Sequence, residues 1–216
     1  MAIEEWNGEL PERMAALPRD KHGRPVPWFV AFIDGEPDFR IIAPGRIRDA
    51  VRGSLCWVCG RGFGGGEDRA WLIGPMCAVN RITAEPPSHK ACAVFSARNC
   101  PFLINPGMVR RARRLPEGVR EPAGVMIRRN PGVALVWITR YRDWHIVPDG
   151  KGVLFSIGPA KRALWFAEGR DATRQEVLAS IDSGLPLLRE MAVQDGMDAI
   201  TQLDRMYADA LAYLPE

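Results

Sequence analysis

Two short stretches, CWVCG at residues 56–60 and SHKAC at residues 88–92, carry the residue types best suited to chemistry in this chain. Zinc favours four ligands in a tetrahedron, and a CxxC turn supplies two of them while its backbone N–H groups support the sulfurs. A second pair must arrive from elsewhere. His89 and Cys92, three residues apart at an expected helix start, fall on one face of that helix, and the positive helix end favours a thiolate there. Cys56 and Cys59, then a hairpin, then His89 and Cys92 on a helix is the order of a treble-clef zinc site. The expected cofactor is Zn2+.

Alternatives attach to the other cysteines. Cys77 as a substitute for His89 would give four thiolates, a set that also suits an iron–sulfur cluster. Cys100 lies eight residues past Cys92, about 12 Å along an unbroken helix, too far to share one ion and better read as a core thiol. The plain alternative is a set of separate buried cysteines with a surface histidine. A full set of four ligands closes the metal shell, so the site reads as structural, since a catalytic zinc keeps a position open for water. His22 and His145 lack a neighbouring nucleophile in a recognisable motif, and HExxH is absent. The histidines that an HNH-type nuclease needs in its hairpin are also missing.

Local signals position these residues. VPWFVAFIDG and DFRIIAPG read as two strands joined by a turn at Gly35, Glu36 and Pro37. RIRDAV has helical spacing with Gly53 as its stop. RGFGGG is turn material; Glu67 and Asp68 follow it where a phosphate loop would place lysine and Ser or Thr. RAWLIGPM has a strand's composition, and after Pro86 and Pro87 the residue Ser88 suits an N-cap for HKACAVFSARNC. VALVWITR and VLFSIG are strand candidates for a central sheet. Thr173 and Glu176 form a capping box for a helix that stops at Gly184; a second helix ends at Gly196, and a third runs from about residue 198 to residue 214. The expected fold is α+β: a small mixed or antiparallel sheet with a treble-clef-like site over residues 1–160, and a C-terminal helical segment, 161–216, packed on it as a three-helix bundle.

The chain has 216 residues, 47% of them apolar and 25% charged, which is the globular range and argues against extensive disorder. Five cysteines with no export signal fit a reducing compartment. The acidic start MAIEEWNGELPERM is neither a secretory signal nor a membrane anchor, and no apolar run is long enough to span a bilayer. A cytoplasmic protein with no membrane partner is expected. The net charge of +3 is unevenly spread, because residues 105–129 hold seven arginines against two glutamates.

The runs IGPMCAVNRITAEPPSHKACAVFSARNCPF, PWFVAFIDGEPDFRIIAPG and WFAEGRDATRQEVLASIDSGLPLL resemble proteins of unassigned function from bacteria, actinobacteria especially, and from their phages. The resemblance covers most of the chain. It implies a cytoplasmic protein of bacterial or phage origin and brings no ligand set.

Three functions fit these residues. One is a zinc-stabilised protein that associates with nucleic acid through Arg110, Arg111, Arg113, Arg114, Arg128 and Arg129, with Trp137, Tyr141 and Trp144 available to stack on bases. Another is a protein-interaction module or regulatory accessory protein, whose C-terminal helices meet a partner or a second copy. The third is a small-molecule enzyme, for which Arg140, Asp143 and His145 are the only polar cluster to nominate.

Overall fold

The computed structural model describes residues 9–110, 123–125, 128–150 and 152–216. The elements in chain order are a 3-10 turn at Glu12–Met14, strands β1 (Val30–Ile33) and β2 (Glu36–Ile42), helix α1 (Arg46–Arg52), β3 (Arg69–Ile73), α2 (Pro75–Asn80), β4 (Ile82–Thr83), α3 (Lys90–Asn99), β5 (Ala134–Thr139), β6 (Trp144–Asp149), β7 (Gly152–Ile157), β8 (Arg162–Ala167), β9 (Arg170–Asp171), α4 (Arg174–Asp195) and α5 (Met197–Leu211). The fold is α+β. Among the described residues the strands form three antiparallel sheets: β1-β2, the central sheet β3-β5-β8-β9, and β4-β7-β6.

The first hairpin turns one step earlier than the sequence suggests. Ile33 pairs with Glu36, so the loop is Asp34 and Gly35, both at positive φ (50° and 83°), which is the turn an Asp-Gly pair favours because it matches strand twist.

The central sheet separates two apolar layers because its side chains alternate. Trp71, Ile73, Leu135, Trp137 and Trp165 face one core with Val177, Ile181 and Leu203 of the C-terminal helices. Ala70, Val136, Ile138 and Phe166 face the other, against Ala93 and Ala97 of α3. All six residues of β5 are buried, as expected of a strand covered on both faces. β5 and β7 do not share a sheet: β7 pairs with β4 and β6. The stretch 162–171, which forms β8 and β9, extends the central sheet from β5.

The expected break at Gly184 does not occur. One helix, α4, runs from Arg174 through Gly184 and Pro186 to Asp195, so the C-terminal segment holds two helices instead of three. The third member of the helical cluster is α2, which packs on both α4 and α5. Gly184 serves that contact, because a Cβ there would lie 2.7 Å from Met76 Sδ. Its missing side chain lets α2 approach. Pro186 removes one helical N–H donor, a cost the packed helix absorbs.

The N-terminus of α4 carries the expected capping box: Thr173 Oγ1 accepts from Glu176 N at 3.3 Å, and Glu176 Oε2 accepts from Thr173 N at 2.8 Å. Arg170 Nη2 adds a bond to Glu176 Oε1 at 2.6 Å. This guanidinium, with the Thr173 donors, holds the Glu176 carboxyl well below its ordinary value, at about 2.

Two outcomes are expected. Pro186→Ala, which restores the donor on an exposed turn, raises unfolding free energy by roughly 1–3 kcal/mol, whereas Gly184→Val lowers it by roughly 1–3 kcal/mol through overpacking on Met76; denaturant midpoints measure both. Because Glu176 titrates lower in the folded chain, its stabilising share is complete above the ordinary carboxyl pKa and is lost as pH falls through about 2. An NMR titration of the Glu176 carboxyl should give that midpoint, and Arg170→Ala should move it upward.

Candidate metal centre

The CxxC knuckle is built by its own backbone. Cys56 N donates to Arg61 O and Gly60 N donates to Cys56 O, each at 2.8 Å. Closing so tight a turn places Gly60 at φ +69°, and a Cβ there would sit 2.4 Å from Trp28 Cδ1. Glycine is required on both counts. Flanking bonds fix the knuckle in the fold: Trp28 N donates to Val58 O at 2.8 Å and Trp57 N to Pro87 O at 2.9 Å, while the Trp57 and Phe29 rings stack at 4.7 Å.

The second pair arrives on a strand-to-helix transition. Ser88 exchanges both backbone bonds with Ala70 of β3, at 2.7 and 2.9 Å. Those bonds hold Ser88 in the ladder, so the N-cap of α3 is His89, one residue later than expected, and no side chain caps the helix. His89 turns its imidazole toward the knuckle instead. Cys92 follows in the first turn, completely buried.

The four residues converge. The ligand atoms of Cys56, Cys59, His89 and Cys92 all lie within 4.8 Å of one another, and all four residues are buried. A tetrahedron of bonds near 2.3 Å has edges of about 3.8 Å, so the set is sized for a single ion. His89 Nδ1 lies 3.3 Å from Cys59 Sγ, while Nε2 lies 3.3 Å from Gly62 O. A proton on Nε2, donated to that carbonyl, leaves the Nδ1 lone pair facing the sulfurs. Cys56 Sγ accepts from Cys59 N at 3.4 Å and from His89 N at 3.3 Å, the support that a ligating thiolate receives from a knuckle.

The charges point the same way. Burial opposes the Cys56 thiolate, but hydrogen bonds from the Cys59, Cys92 and His89 side chains outweigh it and hold its pKa far below that of a free thiol. Cys92 shifts far upward, through its bonds to the Cys56 and Cys59 side chains and then through burial. Burial works against the His89 imidazolium, yet the two neighbouring sulfurs carry its pKa up to about 9. Three sulfurs and an imidazole this close need shared protons or a cation to neutralise them. The arrangement can hold a metal ion.

Around the ligands stands a shell that composition alone did not reveal. Glu67 Oε2 lies 3.8 Å from His89 Nε2; it accepts from Gly64 N at 2.8 Å, and both Glu67 oxygens bond Arg13 Nη1 at 3.0 and 3.1 Å. The glycine-rich run thus curls Glu67 back toward the histidine. Phe63 packs on the imidazole at 4.5 Å and carries Arg69 on its ring at 3.8 Å. Met14 closes the apolar side with Val58. The usable signal was Glu67 just past the glycine-rich run that follows the knuckle.

No protein-family model, curated protein or solved structure matches the chain. The geometry therefore carries the functional argument.

The other nominated residues sit apart from this cluster. Cys77 lies on α2 beside the main core, and burial lifts its thiol to about 11. Cys100 is the C-cap of α3. Arg111, Arg113 and Arg114 lie outside the described residues. Arg110 Nη2 donates to Arg40 O at 2.7 Å, and Arg129 Nη2 to Ser183 O at 3.1 Å and Ser183 Oγ at 2.9 Å; these two guanidinium groups pin the chain to its own backbone. Arg128 stands beside Arg129, its carbonyl accepting from Arg110 N at 2.8 Å. Trp137 is not a stacking surface, since it is fully buried and its Nε1 donates to Gly158 O at 2.9 Å. Trp144 is half-buried, edge-on to Trp71 at 5.7 Å, and Tyr141 alone of the three is exposed. Arg140 and Asp143 belong to the turn between β5 and β6, closed by a bond from Asp143 N to Arg140 O at 3.1 Å. His145 is exposed on β6, at the edge of its sheet.

Gly60→Ala is expected to destabilise the protein by about 2 kcal/mol or more, because it combines a left-handed residue with a clash against Trp28. Thermal unfolding of the purified variant measures it, and Gly62→Ala, whose Cβ would meet open space, is the matched control.

Proposed function

We propose that Cys56, Cys59, His89 and Cys92 hold one structural Zn2+ and that the chain is a zinc-stabilised, non-enzymatic protein associating with nucleic acid. The observation that carries the metal reading is the convergence of three thiols and one imidazole within 4.8 Å in a buried pocket. With His89 as the fourth donor and Cys77 elsewhere, the set favours zinc over a four-cysteine iron–sulfur cluster. A treble-clef-like description is supported by the sequence of parts: a knuckle closed by the Leu55–Gly62 bridge, β3 bridged to Ser88, and then α3. In place of a simple hairpin loop, α2 and β4 are inserted between the two bridged strands.

Bound there, zinc would join the N-terminal segment, the knuckle and α3. Four protein donors leave it no position for water, so its contribution is folding energy instead of catalysis. Thiols that must stay reduced to hold metal suit a cytoplasmic setting, and no helix among the described residues is long and apolar enough to cross a membrane. The nucleic-acid part of the proposal is supported by the arginine excess of residues 105–129 and by further arginines near the metal centre. Protein interaction is the second reading, favoured by exposed Val193 and Met197 where α4 meets α5.

Elemental analysis of the purified chain should find about one zinc per molecule, with no stoichiometric iron. Cys59→Ser should lose the zinc and most of the folded protein, because the knuckle then lacks its anchor. Tetrahedral thiolate spectra after cobalt substitution provide the coordination check; protein that folds fully without any metal refutes the proposal.

A further inference from the structure

A cleft of about 250 Å3 opens beside the metal centre, where the N-terminal segment, β1, α1 and the knuckle meet. Arg13, Arg46 and Arg61 line it together with Trp28, Phe32 and Cys59, and no carboxylate does so among the described residues. Arg13 is already neutralised by Glu67 at 3.0 Å. Arg46 instead lies over the Trp28 ring at 4.2 Å, and Arg61 projects from the knuckle into solvent. Phe32 is 48% exposed. A water-facing aromatic ring beside guanidinium groups that have no carboxylate partner among the described residues is an arrangement suited to an anion that also carries a flat apolar face.

We propose that this cleft binds single-stranded nucleic acid, taking one nucleotide with its phosphate on Arg46 and Arg61 and its base against Phe32 and the Arg46–Trp28 stack. Unstacked bases reach aromatic side chains and guanidinium planes, whereas the bases of a duplex are held in their own stack. The volume accommodates about one nucleotide and is small for a drug-sized cofactor. The metal centre would preorganise the cleft, because Arg61 O accepts from Cys56 N and Val58 O accepts from Trp28 N, each at 2.8 Å. The inference rests on the nucleic-acid reading above and moves its contact from residues 105–129 to the metal-centre face.

The test is fluorescence anisotropy of a labelled single-stranded oligonucleotide, about 15 nucleotides long to cover one site, titrated with the metal-loaded full chain over a range of salt. Wild type is compared with Arg46→Gln/Arg61→Gln, Phe32→Ala and the control Arg48→Gln, whose side chain pairs with Asp49 at 3.0 Å away from the cleft. The double variant is expected to weaken binding at least tenfold and to flatten the log–log salt slope by about 0.7, corresponding to the one phosphate held in the cleft. Phe32→Ala should weaken it by about tenfold through lost stacking, while Arg48→Gln leaves it unchanged. Should the double variant lose metal or fold, Arg61→Gln and Phe32→Ala, both at exposed side chains, carry the test. Tight binding that none of these substitutions weakens, equal affinity for duplex, or displacement by a phosphopeptide but not by unlabelled single strand overturns the cleft assignment and leaves the metal reading intact. Failure to bind any single or double strand at low salt overturns the nucleic-acid reading as well.

Discussion

Four polar side chains that repel solvent-free neighbours of their own kind meet in one buried spot, and the surrounding structure is arranged to make that meeting tolerable. Backbone N–H groups from Cys59 and His89 face the Cys56 sulfur, and a carbonyl from the knuckle's far side takes the outer imidazole nitrogen. Met14 and Val58 are buried in one cluster with the three cysteines. Buried groups of this kind destabilise a protein unless they are paired or coordinate a metal. The same region joins pieces that lie outside the main core: the N-terminal segment through Arg13 and Glu67, and the β1-β2 hairpin through Phe29 and Trp57. Helix α3 carries Cys92 toward the cluster and Ala93 and Ala97 toward the central sheet. It therefore couples the candidate metal centre to the main body.

Local signals were legible wherever a local conformation decided the outcome. The knuckle, the β1-β2 hairpin apart from the exact place of its turn, α1 with its Gly53 stop and the α4 capping box all depend on residues within a few positions of each other. Tertiary packing overrode the same logic elsewhere. Gly184 resembled a helix stop, yet it is a contact point for Met76, and Pro186 sits inside a helix held by its neighbours. Helix α2 escaped notice because six residues carry little periodic signal, although Pro75 stands at its first turn. Ser88 looked like a cap, but its backbone was already bound into the ladder with Ala70. Strand β8 has the composition of a strand, but its partner β5 lies more than twenty positions earlier, and no local feature announces that pairing.

Arginines close together in the sequence do not share one environment in the fold. Arg110 and Arg129 stand in the basic run, yet they give their donors to backbone carbonyls. Arg46 and Arg61 are unremarkable in the sequence, and only folding places them on one cleft with Trp28. A guanidinium committed to a carbonyl inside the protein has fewer donors left for phosphate, so charge counted along the chain overstates what a surface offers.

Two long-range junctions close loops of different length. Cys59 and His89 are 30 positions apart, whereas Trp71 bonds Thr139 across the β3-β5 pair over 68 positions. Loop-closure entropy makes the longer junction costlier by about 0.7 kcal/mol. An ion held in the shorter circuit would tie β3, through the Ser88–Ala70 bonds, to the knuckle. Metal binding there would thus bear on β3 as well as on the knuckle.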